Sequence, residues 1–477
     1  MVFARIIIWL GNTLIFCALM VILAALAAVV LAEYSSAIKF AALGASVGGL
    51  GAIFLLSSYK TDLQDNNSDS LLFLILFWAF VPYICAIPFM FEGGATNPLQ
   101  AYFESVSAIT TTGASTLDAD SLSRTLLLWR SVLQWFGGVF ATTFAVVILA
   151  ALNMTGTGVH RSILFTLERG NLLPRLLIVG RSVALIYLAL GTFCFLGLAI
   201  SGTPIFESMC LALTSISTGG LTPRSGVLAE YVNPFGGMIM ALTCLFGAAS
   251  IAILWDAFRL RSWISYKRLI SNVEHRAMLI MCGIIILLGF MFVGPAHLLT
   301  IILEAVFFVS SAGFDYHVIG VDMIPPTPLI VVALIGGAAL STAGGLKIIR
   351  FLLLFRHFAT DIGRLTHPSR VIPVKFRGRL IPDRAFLSIW MYFFGYTFLF
   401  ALSILSLGLS GMDFELATIA SAAGLSNMGP LLTITSLEAS YSDFTDAQLT
   451  LFSFIMLVGR VEVLALMAVM FPSAWRH

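Results

Sequence analysis

The sequence predicts an all-α integral membrane protein of ten spans. Four helix–pore-loop–helix repeats surround one pseudo-fourfold pore, preceded by two extra spans. Three observations carry this reading. Of 477 residues, 59% are hydrophobic and only 10% charged, whereas a soluble domain carries about 25% charged residues. Apolar runs of about 20 residues, the length that crosses a bilayer, recur along the chain. Between them, a short apolar piece ending in a Gly-containing turn occurs four times.

The composition excludes most other classes. A soluble enzyme could not bury this much apolar side chain. A formal net charge of +2 excludes a polybasic nucleic-acid binder, which needs a concentrated basic face. Cys17, Cys85, Cys194, Cys210, Cys244 and Cys282 all lie in apolar runs without a CxxC spacing. They read as small buried hydrophobes rather than disulfides or metal ligands. The seven histidines form no HxxH or HExxH pattern, and no nucleophile elbow is present, so the chain is not read as an enzyme.

Ten runs are long enough to span: 6–31, 37–58, 70–91, 127–152, 180–201, 235–256, 277–294, 327–355, 386–410 and 447–471. The first exceeds the roughly 7–15 apolar residues of a cleaved leader's core, so it reads as a retained helix. Pieces at 98–111, 204–217, 297–311 and 413–427 are about 14 residues each. They are too short to cross and read as re-entrant. The organisation is then two N-terminal spans (1–60), a first repeat (61–155), a second (156–262), a third with an interrupted second span (263–360) and a fourth (361–477).

Basic residues set the orientation. Segments 153–181, 256–276 and 347–384 hold four, five and nine of them, 18 of the 26 in the chain. These segments are expected on the cytoplasmic side of a bacterial inner membrane, with both termini cytoplasmic, as an even number of spans requires. Opposite connections carry Glu33, Glu92, Asp118, Asp120, Glu230, Asp315, Asp322, Glu438, Asp443 and Asp446 against Lys39, Arg124 and Arg224. Such a mouth would concentrate cations, or it reflects only the poverty of outer loops in Lys and Arg.

The four short pieces read FESVSAITTTGAS from Phe103, FESMCLALTSISTGGLT from Phe206, LEAVFFVSSAGFD from Leu303 and FELATIASAAGLSNMGP from Phe414. Each opens with Glu104, Glu207, Glu304 or Glu415 and reaches Gly113, Gly219, Gly313 or Gly429. A repeat of this regularity dictates architecture. Irregular backbone at membrane depth is tolerated only inside protein or along a water-filled path. Carbonyls turned toward a common axis can replace a cation's hydration shell, and the negative ends of converging helix dipoles favour a cation. The four glutamates are expected near helix N-termini, stabilised by exposed amides, with direct cation coordination as the other reading.

These motifs carry a family resemblance. TTTGAS (Thr110–Ser115), STGGLT (Ser217–Thr222), SAGFD (Ser311–Asp315) and NMGPL (Asn427–Leu431) resemble the four filters of the membrane-spanning subunit of the Trk potassium-uptake system, within the Trk/Ktr/HKT cation transporter superfamily. LQWFGG (Leu133–Gly138), GGAALSTAGGLKIIR (Gly336–Arg350) and GRVEVLALMAVMFPSAWR (Gly459–Arg476) resemble its other signatures. The resemblance implies potassium uptake through a channel-like pore with a four-loop carbonyl filter and an intramembrane gating loop. It places ion-binding residues at Thr111, Thr112, Gly113, Thr218, Gly219, Gly220, Ala312, Gly313, Asn427, Met428 and Gly429. It places the gate at Gly336, Gly337, Gly344, Gly345, Lys347 and Arg460. Glycine at all four filters is the family pattern for potassium over sodium. A homodimer with one pore per subunit is implied, regulated by a cytosolic nucleotide-binding subunit of potassium-conductance-regulating domains. Besides membrane lipid no other partner is implied, and no cofactor; potassium is the transported substrate. Ala338, Leu340 and Ala343 stand where the family is richer in Gly, and GAASIAILWDAF (Gly247–Phe258) also departs from the pattern.

Several residues keep two readings. Gly336, Gly337, Gly344 and Gly345 form a gate or a close helix contact. Arg460, in an apolar span, faces the path or an interhelical partner. Asp315, directly after the third filter, is the outer-mouth candidate. The Pro-containing stretch 357–385 docks a partner or is simply solvated. The rival function is a sodium- or proton-coupled secondary transporter (or symporter), which needs titratable groups along its path.

Overall fold

The computed structural model describes residues 2–57, 67–151, 172–260, 263–366, 375–376, 379–380, 383–435 and 439–461. The connection holding Arg161 and Arg169, Glu438, the three prolines of the Pro-containing loop and the end of the last expected span lie outside them. Among the described residues the fold is all-helical apart from one antiparallel ladder pairing Lys375–Phe376 with Arg379–Leu380. In chain order the helices are α1 (Val2–Val30), α2 (Tyr34–Ser57), α3 (Asn67–Phe91), α4 (Pro98–Ile109), α5 (Arg124–Ala151), α6 (Leu172–Ile200), α7 (Ile205–Ile216), α8 (Pro234–Ala248) and α9 (Ile251–Leu260). Then follow α10 (Trp263–Ser271), α11 (Val273–Phe292), α12 (Leu298–Val309), α13 (Pro326–Ile335), α14 (Ile348–Thr366), α15 (Asp383–Leu409), α16 (Phe414–Leu425), α17 (Pro430–Ile434) and α18 (Asp446–Val461).

The chain is a multi-pass membrane protein. Among the described residues, six helices are long and apolar enough to cross a membrane: Ile6–Val30, Tyr34–Ser57, Leu72–Phe91, Pro174–Ile200, Val273–Phe292 and Phe386–Leu409. The other four expected runs differ for identifiable reasons. Helix α5 is 28 residues long but carries buried Arg130, Gln134, Thr142 and Thr143. The run 235–256 is bent by 104° between α8 and α9. The run 327–355 is broken between α13 and α14, as its glycines predict. The last run is described only to Val461.

The bend and the break satisfy each other. A helix that stops at membrane depth exposes amides and carbonyls that need partners. The Ala338 N–H donates to the Ala248 carbonyl at 3.1 Å, and the Ile251 N–H donates to the Leu340 carbonyl at 3.2 Å. The Ser250 N–H donates to His275 Nε2 at 3.3 Å. The atypical Gly247–Phe258 stretch is therefore where one span turns to meet the interruption in another.

Helices α1 and α2 pair through small residues, the means by which membrane helices approach closely. A methyl group on Gly51 would lie 3.0 Å from the Gly11 carbonyl oxygen. The pair is pinned to the rest by acids. Glu33 accepts the N–H groups of Arg124 and Thr125 at 3.1 and 3.0 Å, capping α5. Glu92 accepts from Ser36 at 2.6 Å and lies 3.6 Å from Lys39.

A glycine in the helix after three of the short pieces packs against the last carbonyl of that piece. A methyl group on Gly137 would lie 1.8 Å from the Ile109 oxygen, on Gly247 2.4 Å from the Ile216 oxygen, and on Gly459 2.6 Å from the Leu425 oxygen. Gly49, by contrast, has nothing within 4 Å. Gly137→Ala is expected to lower the melting temperature of the detergent-purified protein, at a cost of about 1–3 kcal/mol. Gly49→Ala should leave it unchanged. Equal melting of the two variants would show that the close approach is not needed.

Candidate functional site

The four short helices α4, α7, α12 and α16 end in one local conformation. Each C-cap is right-handed: Thr110, Ser217, Ser310 and Ser426. The next residue is left-handed: Thr111 (φ 56°), Thr218 (52°), Ser311 (64°) and Asn427 (48°). Non-Gly residues hold this conformation at a cost of about 1–3 kcal/mol each, and such strain clusters at functional sites. A Schellman pattern fixes three of them. Thr111 N–H donates to Ala108 O and Thr112 N–H to Ser107 O; Thr218 N–H donates to Ser215 O and Gly219 N–H to Thr214 O. Asn427 N–H donates to Gly424 O and Met428 N–H to Ala423 O. In the third turn the outer bond falls one residue later, from Gly313 N–H to Phe307 O.

The turns touch in cyclic order. A methyl group on Gly113 would lie 2.2 Å from the Gly219 oxygen, and one on Gly220 2.3 Å from the Ala312 oxygen. One on Gly313 would lie 2.8 Å from Pro430 Cβ, and one on Gly429 2.3 Å from the Ala114 nitrogen. The Gly429 N–H donates to the Thr112 carbonyl at 2.5 Å, and Asn427 Nδ2 donates to Thr112 Oγ1 at 3.1 Å. First meets second, second meets third, third meets fourth and fourth meets first, so the eleven residues named above as ion-binding form one closed ring. Its register corrects the sequence alignment in one place. Gly220 (φ 77°), not Gly219, stands two residues after the left-handed residue, as Gly113 (φ 80°) and Gly313 (φ 62°) do.

Among the described residues, no protein donor reaches the carbonyls of Thr111, Gly113, Thr218, Gly220, Ser311, Ala312 or Asn427. These side chains are Thr, Ser, Gly, Ala and Asn; none is ionisable. Buried carbonyls without partners are uncommon, and their convergence at the C-terminal ends of four helices makes a region of negative potential. Such a ring can coordinate a dehydrated cation and offers nothing for acid–base chemistry.

The glutamates split into two kinds, contrary to the single N-terminal role expected for all four. Glu104 and Glu304 sit in mid-helix and are buried. Glu104 accepts the Thr116 N–H at 2.6 Å; Glu304 accepts the N–H groups of Tyr316, His317 and Val321 at 3.1, 3.0 and 2.7 Å. Both hold the strand of chain that leaves the ring. Glu207 and Glu415 lie in first turns, and Glu207 accepts from Arg224 Nε at 2.9 Å. Matching Phe-Glu or Leu-Glu pairs thus fall at different depths.

Helix α5 buttresses the ring from behind. Gln134 Nε2 donates to the Gly219 carbonyl at 2.6 Å. Buried Arg130 donates to Ser115 Oγ at 3.3 Å and the Thr222 carbonyl at 3.2 Å. Sequence reasoning passed over Ser311, Gln134 and Arg130. Ser311 becomes visible once the repeats are aligned on their helix ends, and a Gln inside an apolar span is itself a signal.

The interrupted segment, 336–347, lies against the C-terminal ends of the short helices. A methyl group on Gly344 would lie 1.7 Å from the Ser426 oxygen, and one on Gly336 2.0 Å from the Gly344 oxygen. Gly337 meets Ala343 Cβ in the same way at 2.4 Å. Leu340 (φ 60°), Lys347 (69°), Gly336 (72°) and Gly345 (78°) are all left-handed. Lys347 is buried and its Nζ donates to the carbonyls of Ser341 and Ala343. Glu274 accepts the Ala339 N–H at 2.7 Å. Arg460 Nη1 donates to the Thr342 carbonyl at 2.6 Å, which joins the last described turn of α18 to the segment.

Asp315 lies outside the ring, on the chain leaving it, and is exposed. Surrounding protein strips part of its carboxyl's water and Asp322 repels it, raising its pKa to about 6. Other outer acids act as loop staples: Asp322 accepts the Gly320 N–H at 2.7 Å, and Asp443 closes a capping box with Ser440. The acidic mouth therefore has a structural component.

The sequence profile of TrkH, described as a cation transport protein, matches residues 38–475. The chain belongs to the TrkH family of cation transport proteins. It is 30% identical over 440 residues to the Trk system potassium uptake protein TrkH of Escherichia coli K12, covering 90% of each chain. It is 29% identical over 442 residues to that of Salmonella typhimurium, again covering 90% of each. The crystal structure of the potassium transporter TrkH from Vibrio parahaemolyticus superposes with a TM-score of 0.88 at 27% identity, over 100% of both chains. Its relatives are membrane transport proteins rather than enzymes.

Two outcomes follow for this TrkH-family chain. Gly344→Ala, which drives a methyl into the Ser426 carbonyl, is expected to change cation flux at least several-fold at unchanged membrane abundance; normal flux would remove the segment from the pathway. As external pH falls through about 6, the Asp315 carboxylate is neutralised, so uptake should decline with a midpoint near that value. Asp315→Asn should lose this component, and an unchanged profile in that variant would exclude Asp315.

Proposed function

We propose that the chain takes up potassium across a bacterial inner membrane through a channel-like pore. The observation that carries this is the closed ring of four left-handed turns, in which the carbonyls of Thr111, Gly113, Thr218, Gly220, Ser311, Ala312 and Asn427 have no protein donor among the described residues. A cation entering the ring exchanges water for the carbonyls and glycines of residues 111–113, 218–220, 312–313 and 427–429. The relatives' names, which describe potassium uptake, support potassium as the ion. The membrane potential supplies the driving force, about 2.3 kcal/mol per charge per 100 mV.

Four units at 61–155, 156–262, 263–360 and 361–477, following two spans at 1–60, each contribute one turn. In this reading the chain crosses ten times and both termini are cytoplasmic, which the basic segments support. Segment 336–347 is the intramembrane gate. Lys347 holds it by its carbonyls, and Arg460 fixes Thr342 while placing a positive charge beside the cation path. Asp315 raises the local cation concentration at the mouth. The relatives are named as parts of a Trk system, which supports a chain that works with other subunits; in this reading, which follows the family resemblance, they are a second copy of the chain and a cytosolic nucleotide-binding subunit that moves the gate. The absence of ionisable side chains from the ring favours this mechanism over proton coupling.

Rubidium uptake is measured in cells lacking their own potassium uptake, with and without sodium. Sodium-independent uptake that loses preference for potassium over sodium in Gly113→Ser is expected. Uptake that requires sodium would establish a coupled transporter instead. Arg460→Ala should raise the flux about ten-fold or less, the effect of one screened charge; normal flux with normal regulation would remove Arg460 from the gate.

A further inference from the structure

A side-chain-to-side-chain hydrogen bond joins segment 336–347 to the ring, beside the Gly344 N–H that donates to Ser311 Oγ at 3.4 Å. Thr218 Oγ1 donates to Thr342 Oγ1 at 3.1 Å. The Thr342 hydroxyl in turn donates to the Gly247 carbonyl at 3.1 Å, beside the bend of α8. Its backbone carbonyl takes the Arg460 guanidinium. Thr218 and Thr342 are both buried. A methyl group on Gly138 of α5 would lie 3.0 Å from Thr342 Cγ2 and 3.1 Å from Ser217 Cβ, so the two threonines are closely enclosed.

Thr218 is the strained member of its turn. A β-branched residue at positive φ is a genuine outlier and persists only where its surroundings over-determine it. Its own N–H bond to the Ser215 carbonyl and the adjoining Gly219 bond, the close approach of Gly247 to its Cγ2 and the Thr342 hydroxyl restrain it. Any displacement of the segment large enough to widen the path must break the Thr218–Thr342 bond. The second turn then loses a restraint at the same moment.

We propose that Thr342 is a positioning residue through which segment 336–347 sets the shape of the second turn, so that moving the segment alters discrimination among alkali cations as well as throughput. This rests on reading the ring as a selectivity filter. It assigns Thr342 a role separate from simple occlusion, because a plug changes how many ions pass and not which.

The test uses the full-length chain in cells lacking potassium uptake, with rubidium uptake competed by sodium and by caesium. Thr342→Val and Thr218→Val should each shift the rubidium-to-sodium preference by about three- to ten-fold, the size of one net hydrogen bond. The double variant should shift no further than either single one, and Thr342→Ser should retain the wild-type preference. A Thr342→Val protein that changes rate at unchanged preference would overturn the proposal, as would a double variant whose shift is the product of the two singles. If Thr342→Val fails to reach the membrane, Thr218→Val decides alone: unchanged preference there also overturns it. Gly113→Ser, run in parallel, separates the two ideas. Unchanged preference in that variant overturns the filter reading itself, whatever the threonines do.

Discussion

The breaks among the described helices answer to one constraint: a backbone amide or carbonyl outside a helix has no water to turn to at membrane depth. The chain meets it by setting one irregularity against another. The bend after Ala248 and the interruption after Ile335 share hydrogen bonds in both directions. The fourth turn donates to the first, and Gln134 donates to the second. None of these segments is satisfied on its own. The long helices are the frame that holds them in register.

The same arrangement explains where the small residues lie. Glycines 137, 247 and 459 let neighbouring helices descend onto the last carbonyls of α4, α7 and α16. That contact seats the strained residues that follow. Thr111, Thr218 and Ser311 are poor choices for left-handed backbone on intrinsic grounds, while Asn427 is a tolerated one, and each has a side chain that hydrogen-bonds or packs in the ring. Asn427 reaches both Thr112 Oγ1 and the Met456 carbonyl, at 3.1 and 2.9 Å. Packing around them, rather than local propensity, decides the conformation.

Much of this was legible in the sequence because hydrophobic length and glycine spacing are local signals. The short apolar pieces, the turns after them and the break at Gly336–Gly345 needed no tertiary information. What escaped was set by three-dimensional depth. Glu104 and Glu207 share the same Phe-Glu-Ser context, yet one is a buried staple and the other a first-turn carboxylate, because α7 begins only two residues before Glu207. Gly219 and Gly220 could be told apart only by which one carried positive φ. Glu33 looked like a free outer acid, but its partners at Arg124 and Thr125 lie 91 and 92 residues away. Thr342 was one small residue among many in its segment until the fold brought Thr218 beside it.

One chain writes the whole ring, and so its four quadrants are spelled Thr, Thr, Ser and Asn rather than one letter repeated. A homotetramer receives any inherited change in quadruplicate and must tolerate it on every side at once. Here a single codon alters a quarter of the circumference. The ring is accordingly uneven, and drift over generations can reshape one quadrant by small steps while the other three stand.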